Sequence, residues 1–493
     1  MRVLLEAIWS NWRIGLMIAA LAAAAIGLLS AWLTPRGPVT TAQALVAMAM
    51  ALALGLLVGL VTGSRWSMLV APLAFVAAFE LARLGVRGPT VDAIHLRSTY
   101  GIIAFVVGRL MHAILVLPPM LLGIVYGISA AVLLGSTAAP VRPSGWILTG
   151  LFTLAMFALA YSIARPAITH PIVGLDGAPL PGSVAELIQV PIGGHNQALM
   201  IRGRSTDNPV LLFLAGGPGG TEMGAMRADT GLEQDFVVVT WDQRGAGKSY
   251  AALDPVDTLT LEQAVADTIE LTDYLRARFG QDKIFLVGQS WGTTLGVLVV
   301  QQRPDLYHAF VGAGQMVSQR ETDIMHYEDT LAWAERTGNA TLIAALRQSG
   351  PPPYDDLLNY EPALAHEHDW NPYPTLDVSK EMPAILFVPE YSLMDKINGL
   401  RAFLDTFSVL YPQLQGIDFR DDVPSLDVPA YMLIGEHETR GRATLANEWF
   451  DLLDAPLKER VVFEGAGHRP NFEQPGLFAE LMRDVLAVTF PDH

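Results

Sequence analysis

The chain has 493 residues and a formal net charge of −17, and 51% of its residues are hydrophobic. This length exceeds that of one ordinary domain, so we expect at least two regions. The chain contains no cysteine, which excludes disulfides, thiolate metal sites and cysteine nucleophiles.

Charge is distributed unevenly along the chain. Residues 1–166 contain ten arginines, no lysine and three acidic residues, which gives +7 and leaves −24 for residues 167–493. A basic, apolar first part joined to an acidic second part predicts a membrane region followed by a domain of ordinary composition. The acidic charge argues against nucleic acid as a partner, because phosphate binding needs clustered lysine and arginine.

We predict a multi-pass transmembrane region over residues 1–165, with the lipid bilayer of the cell membrane as its partner. Apolar stretches of about 20 residues can cross a hydrocarbon core about 30 Å thick. About five such helices are expected, at 14–33, 42–62, 66–82, 115–135 and 145–164. A sixth crossing or re-entrant segment over 101–117 is an alternative, and a signal peptide is an alternative for the first stretch alone.

The arginines do not define one orientation in the membrane. Arg2 and Arg13 favour a cytoplasmic N-terminus, whereas Arg83, Arg87 and Arg97 favour a cytoplasmic loop of their own. With five spans these two demands conflict, so the side on which the second domain lies stays open.

Three further polar residues lie within or beside the predicted spans. Glu80, Arg109 and His112 are compatible with an intramembrane polar site. The alternative is that they lie near the interface and extend their polar ends to water. The sequence leaves both interpretations open.

A proline- and glycine-rich linker, 166–182, precedes a region in which short apolar strands alternate with amphipathic helices. Near-continuous apolar strands separated by helices predict an α/β fold with a mostly parallel sheet covered on both faces. We assign this core to residues 183–314 and 429–493. The expected strands begin with a hairpin and are 187–190, 198–201, 210–215, 236–241, 284–287, 309–313, 430–434 and 460–463.

The alternation stops over residues 315–428, where acidic, aromatic and proline-interrupted helical segments follow one another. An insertion of this length is too long for a plain loop. We predict that it forms a helical cap over the mouth of the sheet.

The segment Gly288–Gly292 reads Gly-Gln-Ser-Trp-Gly between a strand-like and a helix-like run. A serine on such a sharp strand-to-helix turn has its hydroxyl exposed above the sheet edge, as in a nucleophile elbow. Glycines two residues to either side are needed because a Cβ there would collide with neighbouring backbone. Ser290 is therefore the candidate nucleophile.

A serine nucleophile needs a base, and the base needs an acid that orients it. In this architecture the chain order is serine, acid, histidine, with the last two on loops after later strands. His468 follows the last predicted strand, and Glu438 follows the preceding one. Glu436 and Asp427 are competitors for the role of the acid.

An oxyanion hole needs backbone N–H groups aimed at the developing charge. One is expected from Trp291, and another from the loop Gly216–Gly220 after the strand 210–215. This loop is also compatible with a phosphate cradle, but it lacks the lysine and Ser/Thr of a P-loop. No HExxH motif is present, so we expect neither a metal nor another cofactor.

Three motifs together resemble the proline iminopeptidase branch of the α/β-hydrolases: Gly216–Gly220, Trp241–Ser249 and Gly288–Gly292. The similarity covers about residues 183–490 and does not extend to the membrane region. It implies a serine peptidase of α/β-hydrolase fold that releases N-terminal residues, often proline. It also implies Ser290, Glu438 and His468 as the triad, with Gly217 and Trp291 as oxyanion donors.

The chain departs from the family pattern at two positions. Ala215 stands where the family usually has histidine, and Glu438 stands where it usually has aspartate. Family members bind the free amine of the substrate with cap glutamates, and Glu390 lies where one of these is expected. A solvated surface position is the alternative for Glu390.

The leading hypothesis is a membrane-anchored serine hydrolase, an aminopeptidase that acts on short peptides through an acyl-enzyme. The first alternative is an esterase or amidase that acts on a small acyl substrate with the same residues. The second, from another class, is a catalytically idle sensor or lid domain of a membrane transporter.

Overall fold

The computed structural model describes residues 2–138, 142–228, 230–377 and 384–490. The chain divides into two compact units. The first consists of Met1–Pro166 with Ser392–Ile397, and the second of Ala167–Tyr391 with Asn398–His493.

The described part of residues 1–166 is helical. Four of its helices are long and apolar enough to cross a membrane, whereas α4 has only 16 residues. The helices are α1 (Arg2–Ser10), α2 (Trp12–Leu33), α3 (Thr41–Thr62), α4 (Ser67–Ala82), α5 (Thr99–Leu133) and α6 (Pro143–Ala164).

Helix α5 differs most from the sequence-based expectation. A span was expected at 115–135, with 101–117 as an alternative sixth crossing or re-entrant segment, but α5 runs through both stretches as one helix of 35 residues. Pro118 and Pro119 lie inside it. A proline removes one backbone hydrogen bond, but its φ stays near the helical value, so the helix continues through both residues. The segment Val106–Leu110 has π-helical geometry.

Helices α3 and α5 pack closely through glycines. A Cβ built on Gly55 or Gly59 would lie 2.0 or 2.3 Å from a carbonyl oxygen of α5, and one on Gly123 or Gly127 would lie 2.2 Å from a carbonyl oxygen of α3. Each pair has the Gly-x-x-x-Gly spacing that lets helix backbones approach within a membrane. Only glycine fits at these four positions without a shift of backbone.

We expect the substitution Gly59→Val to lower the melting temperature of the detergent-solubilised chain by several degrees, because overpacking costs about 1–3 kcal/mol. Gly150→Val in α6 is the matched control, since nothing lies within 4 Å of a Cβ at Gly150. Thermal unfolding followed by circular dichroism measures both. Equal melting temperatures for the two variants would contradict the close packing.

The second unit contains one sheet of eight strands in the order β1-β2-β4-β3-β5-β6-β7-β8. The pairs β1–β2 and β2–β4 are antiparallel, and every other pair is parallel. The predicted mostly parallel α/β sheet is therefore confirmed. The strands are β1 (Val184–Ile192), β2 (His195–Gly203), β3 (Val210–Leu214), β4 (Val237–Asp242), β5 (Ile284–Gln289), β6 (Tyr307–Ala313), β7 (Ala430–Gly435) and β8 (Lys458–Phe463).

Helices connect these strands. Helix α8 begins after Thr260, whose side chain accepts a hydrogen bond from the Gln263 amide, and ends at Gly280 with a φ of +65°. The helices outside the 315–428 insertion are α7 (Met223–Ala228), α8 (Leu261–Phe279), α9 (Trp291–Gln302), α16 (Arg440–Leu452), α17 (Pro470–Glu473) and α18 (Pro475–Thr489).

The insertion between β6 and β7 contributes helices and no strand of the sheet within its described residues. Its α-helices are α10 (Gln319–Thr337), α11 (Ala340–Ser349), α12 (Glu361–Leu364), α13 (Glu367–Trp370), α14 (Leu393–Leu410) and α15 (Phe419–Asp422).

The central strands are buried on both faces, and every residue of β3, β4, β5 and β7 is inaccessible or nearly so. Large rings pack in the core, with Phe236, which precedes β4, in edge contact with Phe285 of β5 at 5.4 Å. The carboxyl ends of β3, β5, β6, β7 and β8 lie at one edge of the sheet, because these strands are parallel. In α/β sheets this edge is where ligands bind.

Candidate active site

Ser290 lies between the end of β5 and the start of α9, with φ +53° and ψ −121°. Among the residues that the structure describes, it is the one non-glycine residue with a positive φ. A Cβ on Gly288 would lie 2.3 Å from the carbonyl oxygen of Gly292, and one on Gly292 would lie 2.1 Å from that of Leu214. The turn therefore holds a strained serine between two obligatory glycines, the geometry of a nucleophile elbow.

His468 and Glu438 form a short hydrogen bond on neighbouring loops. Glu438 follows β7 and His468 follows β8, and the distance from Nδ1 of His468 to Oε2 of Glu438 is 2.6 Å. The Glu438 side chain is 2% exposed and the His468 side chain 20% exposed. The acid is therefore buried while the imidazole keeps access to solvent.

Glu438 is ionised at neutral pH. Burial by itself raises the pKa of its carboxyl, but the charges of His468 and Arg442 and the hydrogen bond from His468 outweigh burial and lower this pKa to about 2. An ionised carboxylate only accepts hydrogen bonds, so Nδ1 of His468 carries a proton. In the neutral imidazole Nε2 is then free to accept a proton from a hydroxyl group.

The lowered pKa of Glu438 predicts a loss of stability in acid. Because the folded-state pKa is about 2 and the ordinary value is 4.5, the carboxylate stabilises the fold fully above about pH 5, and this contribution is lost as the pH falls toward 2. We expect the advantage in unfolding free energy of the wild type over Glu438→Gln to shrink by about 3 kcal/mol between pH 5 and pH 2. Urea unfolding at a series of pH values measures it. Glu436→Gln, whose side chain is 54% exposed, should show no such change.

Ser290 and His468 are both adjacent to the end of β6. The Ser290 amide donates to the carbonyl of Ala313 at 3.0 Å. A Cβ on the next residue, Gly314, would lie 3.0 Å from both Cε1 and Nδ1 of His468. In addition, Nε2 of Gln289 donates to the His468 carbonyl at 3.4 Å. The structure therefore brings the serine turn and the histidine to the same place on the sheet edge.

The competing acids make other contacts. Glu436 accepts a hydrogen bond from the amide of Gly465 at 2.7 Å, in the loop that carries His468. Asp427 is exposed in the segment before β7. Of the three acids considered, Glu438 is the one whose carboxylate is hydrogen-bonded to the imidazole of His468.

The loop expected to supply an oxyanion donor lies beside Ser290. A Cβ on Gly216 would lie 3.3 Å from the Cβ of Ser290. Gly217 has a φ of +125°, a conformation that favours glycine. Trp291, the other expected donor, is buried as the first residue of α9. The two predicted donors thus follow directly after Ser290 and after Gly216, the glycine that lies beside Ser290.

The segment Trp241–Ser249 supports this loop. The indole Nε1 of Trp291 donates to Oε1 of Gln243 at 2.9 Å, and Nε2 of Gln243 donates to the Ala215 carbonyl at 3.3 Å. Gln243 therefore connects the residue after Ser290 with the residue before Gly216. This connection explains why a buried glutamine is needed at this position.

The neighbouring residues of this segment are also held by buried hydrogen bonds. Asp242 accepts from the Lys248 amide and from the Tyr391 hydroxyl, each at 2.8 Å. Arg244 pairs with Asp267 at 2.8 Å, and both side chains are nearly inaccessible. The segment has the role of a rigid support in this structure.

Glu390, the candidate amine-binding residue of the insertion, is buried. Its side chain is 0% exposed and pairs with Arg227 at 3.2 Å. Oε1 also accepts from the Thr169 hydroxyl at 3.1 Å, and Oε2 is buried without a hydrogen bond to any described residue. The solvated surface position considered for Glu390 is therefore wrong, because its side chain is 0% exposed. Binding of a substrate amine by Glu390 stays a prediction.

Glu473 was not identified from the sequence, yet it holds the histidine loop. Its carboxylate accepts from the amides of Gly467 at 2.8 Å and Arg469 at 3.0 Å, which flank His468. The hydroxyls of Tyr373 and Thr375, from the insertion, donate to the same carboxylate. No local pattern reveals this role, because the contacts with the insertion span about 100 residues of chain.

Arg442 was also missed. It contacts Glu438 and Glu367 of the insertion at 3.0 and 2.8 Å. The spacing of Glu438 and Arg442 gave no clear signal, because Glu438 precedes the cap residue Thr439 and only Arg442 lies on α16. Across the described ranges, no group of three histidine or acidic side chains is arranged to hold a metal ion.

Comparison with known proteins gives matches to the second unit. Residues 209–475 match the family model described as alpha/beta hydrolase fold. The chain is 31% identical over 315 residues to the Probable aminopeptidase YbaC of Bacillus subtilis (strain 168), covering 61% of this chain and 96% of that protein. It is 26% identical over 313 residues to the Proline iminopeptidase of Lactobacillus delbrueckii subsp. lactis, covering 60% and 96%.

Solved structures also align with part of this chain. The crystal structure of the proline iminopeptidase of Mycobacterium smegmatis aligns with 62% of this chain and 98% of its own, at 18% identity and a TM-score of 0.44. The family match spans more than half of the chain, and the Bacillus subtilis relative is covered almost completely. This chain therefore belongs to the α/β-hydrolase fold family, as a hydrolase related to the proline iminopeptidases.

Proposed function

We propose that the chain is a membrane-anchored serine hydrolase, an aminopeptidase of proline iminopeptidase type that releases N-terminal residues from short peptides. The observation that carries the proposal is the 2.6 Å contact between His468 and Glu438, at the sheet edge where the strained Ser290 begins a helix. The names of the related proteins, an aminopeptidase and a proline iminopeptidase, support the substrate class.

In the proposed reaction, Ser290 Oγ attacks the scissile carbonyl while Nε2 of His468 accepts its proton. The amides of Trp291 and Gly217 donate to the oxyanion of the tetrahedral intermediate. When the intermediate collapses, the C–N bond breaks and His468 returns the proton to the leaving amine. Water then attacks the acyl-enzyme with His468 again as base, and the freed amino acid leaves with Ser290 restored.

An esterase or amidase activity of the same residues is the second candidate. The observation that favours it is the burial of Glu390, whose carboxylate is 0% exposed and paired with Arg227. The positive charge of Arg227 partly neutralises this carboxylate and so weakens its attraction for a substrate amine. An esterase or amidase needs no such group, because its substrates carry no obligatory free α-amine.

Membrane anchoring is proposed from the first unit. Its four long apolar helices leave large side chains exposed, including Trp32 at 80% and Phe157 at 71%. Exposed apolar surface of this extent is unfavourable in water and favourable in a bilayer. After alkaline carbonate extraction of expressing cells, the chain should remain in the membrane pellet; recovery in the supernatant would contradict anchoring.

The catalytic proposal is tested with the purified full-length chain in detergent. We expect covalent labelling by a fluorophosphonate and release of a fluorophore from aminoacyl amides, with N-acetylation of the same substrates abolishing turnover. Equal turnover of acetylated substrates or acyl esters would favour the esterase or amidase. Absence of both labelling and turnover would reject the serine hydrolase and leave the sensor interpretation.

A further inference from the structure

Arg442 links the proposed triad acid to the insertion. It lies in α16, four residues after Glu438, and Nη1 donates to Oε1 of Glu438 at 3.0 Å. Nη1 and Nη2 also donate to the two oxygens of Glu367, in α13 of the insertion, at 2.9 and 2.8 Å. One guanidinium thus bridges two carboxylates that are 71 residues apart in the chain.

The three side chains are largely removed from water. Arg442 is 11% exposed, Glu367 is 13% exposed and Glu438 is 2% exposed. Burial raises the pKa of Glu367, but Arg442 outweighs it and holds this pKa well below the usual range. Both carboxylates are therefore charged, and they share the positive charge of Arg442.

The two oxygens of Glu438 have different partners. Oε2 accepts from His468, whereas Oε1 accepts from Arg442 and from the Thr439 amide at 2.8 Å. Partners on Oε1 determine the rotation of the carboxylate and thereby the direction of Oε2. Arg442 is planar and presents its donors in a fixed fork, so it constrains this rotation more strongly than a lysine would.

A second contact joins the same part of the insertion to the acid loop. Nδ2 of Asn371, the residue after α13, donates to the carbonyl of His437 at 2.7 Å. The segment 367–371 therefore holds both the backbone before Glu438 and, through Arg442, its side chain. Asp323, His326 and Tyr411 of the insertion also interact electrostatically with Arg442.

We propose that Arg442 is a positioning residue of the hydrolase, which aligns Glu438 with His468 and couples that alignment to the insertion through Glu367. The proposal rests on the triad of the proposed function. Arg442 also shares its charge between Glu367 and Glu438, so the two partners have opposite effects on the imidazolium. Without Arg442, the negative charge of Glu438 is less neutralised, so the imidazolium form of His468 is stabilised. Without the charge of Glu367, Arg442 neutralises Glu438 more fully, so the imidazolium form of His468 is destabilised.

The test compares kcat/KM against pH for Arg442→Gln, Arg442→Lys and Glu367→Gln in the full-length chain. We expect Arg442→Gln to lower kcat/KM about 10- to 100-fold, mainly through kcat, as when partners behind a functional ligand are removed. The acidic limb of the pH profile of kcat/KM should move to higher pH in Arg442→Gln. In Glu367→Gln the same limb should move to lower pH. Arg442→Lys should recover part of the rate, because it keeps the charge without the fork.

The matched control is Arg440→Gln. Arg440 also joins α16 to the insertion, through Asp329 and Glu328 at 3.1 and 3.2 Å, but it is 50% exposed and does not contact Glu438. It should leave the rate and pH profile unchanged.

A folded Arg442→Gln variant with the wild-type rate and pH profile would overturn the positioning role, as would limbs that move in the same direction in the Arg442 and Glu367 variants. If Arg442→Gln fails to fold, Arg442→Lys and Glu367→Gln are compared with the wild type instead. A wild-type rate and pH profile in both variants would then overturn the positioning role. Failure of the proposed function is distinguishable, because the wild type itself would then show no fluorophosphonate labelling.

Discussion

Replacement of Ser290 by alanine is expected to lower kcat by about 10⁴- to 10⁶-fold and to abolish fluorophosphonate labelling. The physical reason is that the hydroxyl forms the covalent bond to the acyl group, so no acyl-enzyme can form without it. The turn itself should survive, because its strain at φ +53° is imposed by the backbone between β5 and α9 and does not depend on Oγ. The melting temperature should therefore stay close to that of the wild type.

Ser205→Ala is the matched control for this substitution. Ser205 lies in the exposed turn between β2 and β3, where its hydroxyl accepts from the Asp207 amide at 3.1 Å. Turnover and labelling should be unchanged in this variant. If Ser290→Ala had wild-type turnover, either the chain would use another nucleophile or the measured activity would come from a contaminant.

Replacement of Glu438 by glutamine is expected to lower kcat about 10⁴-fold, the loss known for the corresponding acid-to-amide change in a serine protease. A glutamine amide can present an N–H donor to Nδ1 of His468, which favours the tautomer with its proton on Nε2. That tautomer cannot accept the proton of Ser290. Steady-state kinetics at saturating substrate measures the effect, because the loss is in the chemical step.

Glu436→Gln is the control, since it makes the same chemical change two residues away in the same loop. Its carboxylate contacts the Gly465 amide and not the imidazole, so we expect a change in kcat of less than about threefold. If Glu436→Gln were the more damaging substitution, the assignment of the acid would be reversed. Equal, small effects of both would show that His468 acts without a carboxylate partner.

The same ionised state of Glu438 connects stability with the reaction. Its pKa of about 2 means that the carboxylate remains charged throughout the pH range in which an imidazole titrates. An acidic limb in kcat/KM between pH 5 and 8 should therefore not come from Glu438. The opposite shifts of the acidic limb expected for Arg442→Gln and Glu367→Gln depend on this difference, because Glu438 stays charged in the pH range where the limb is measured.

Local pattern was sufficient to predict the sheet and the serine turn. Apolar runs of strand length predicted all eight strands. The signal is simplest for β3, β4, β5 and β7, because a strand buried on both faces must be apolar along its whole length. Gly288 and Gly292 were predictable because the steric limit on their Cβ atoms arises from backbone within a few residues or from the adjacent strand. The chain order of serine, acid and histidine pointed to Ser290, Glu438 and His468 for the same reason, since each follows a recognisable strand.

Interactions between distant segments could not be predicted in this way. Helix α5 continues through Pro118 and Pro119, and its glycines pack against those of α3, which requires knowledge of which helices are neighbours. Glu390 was expected to be exposed to substrate or to solvent, but it is buried beside Arg227.

The sequence by itself determined the fold class and the residues that can carry hydrolytic chemistry, because these depend on periodicity and on motifs within short windows. Only the tertiary structure decided which of the neighbouring acids contacts His468, and that Arg442 and Glu473 connect the catalytic loops to the insertion. The physical reason is that a carboxylate's partner depends on side-chain direction and on burial, which arise when segments 75 to 98 residues apart fold against one another.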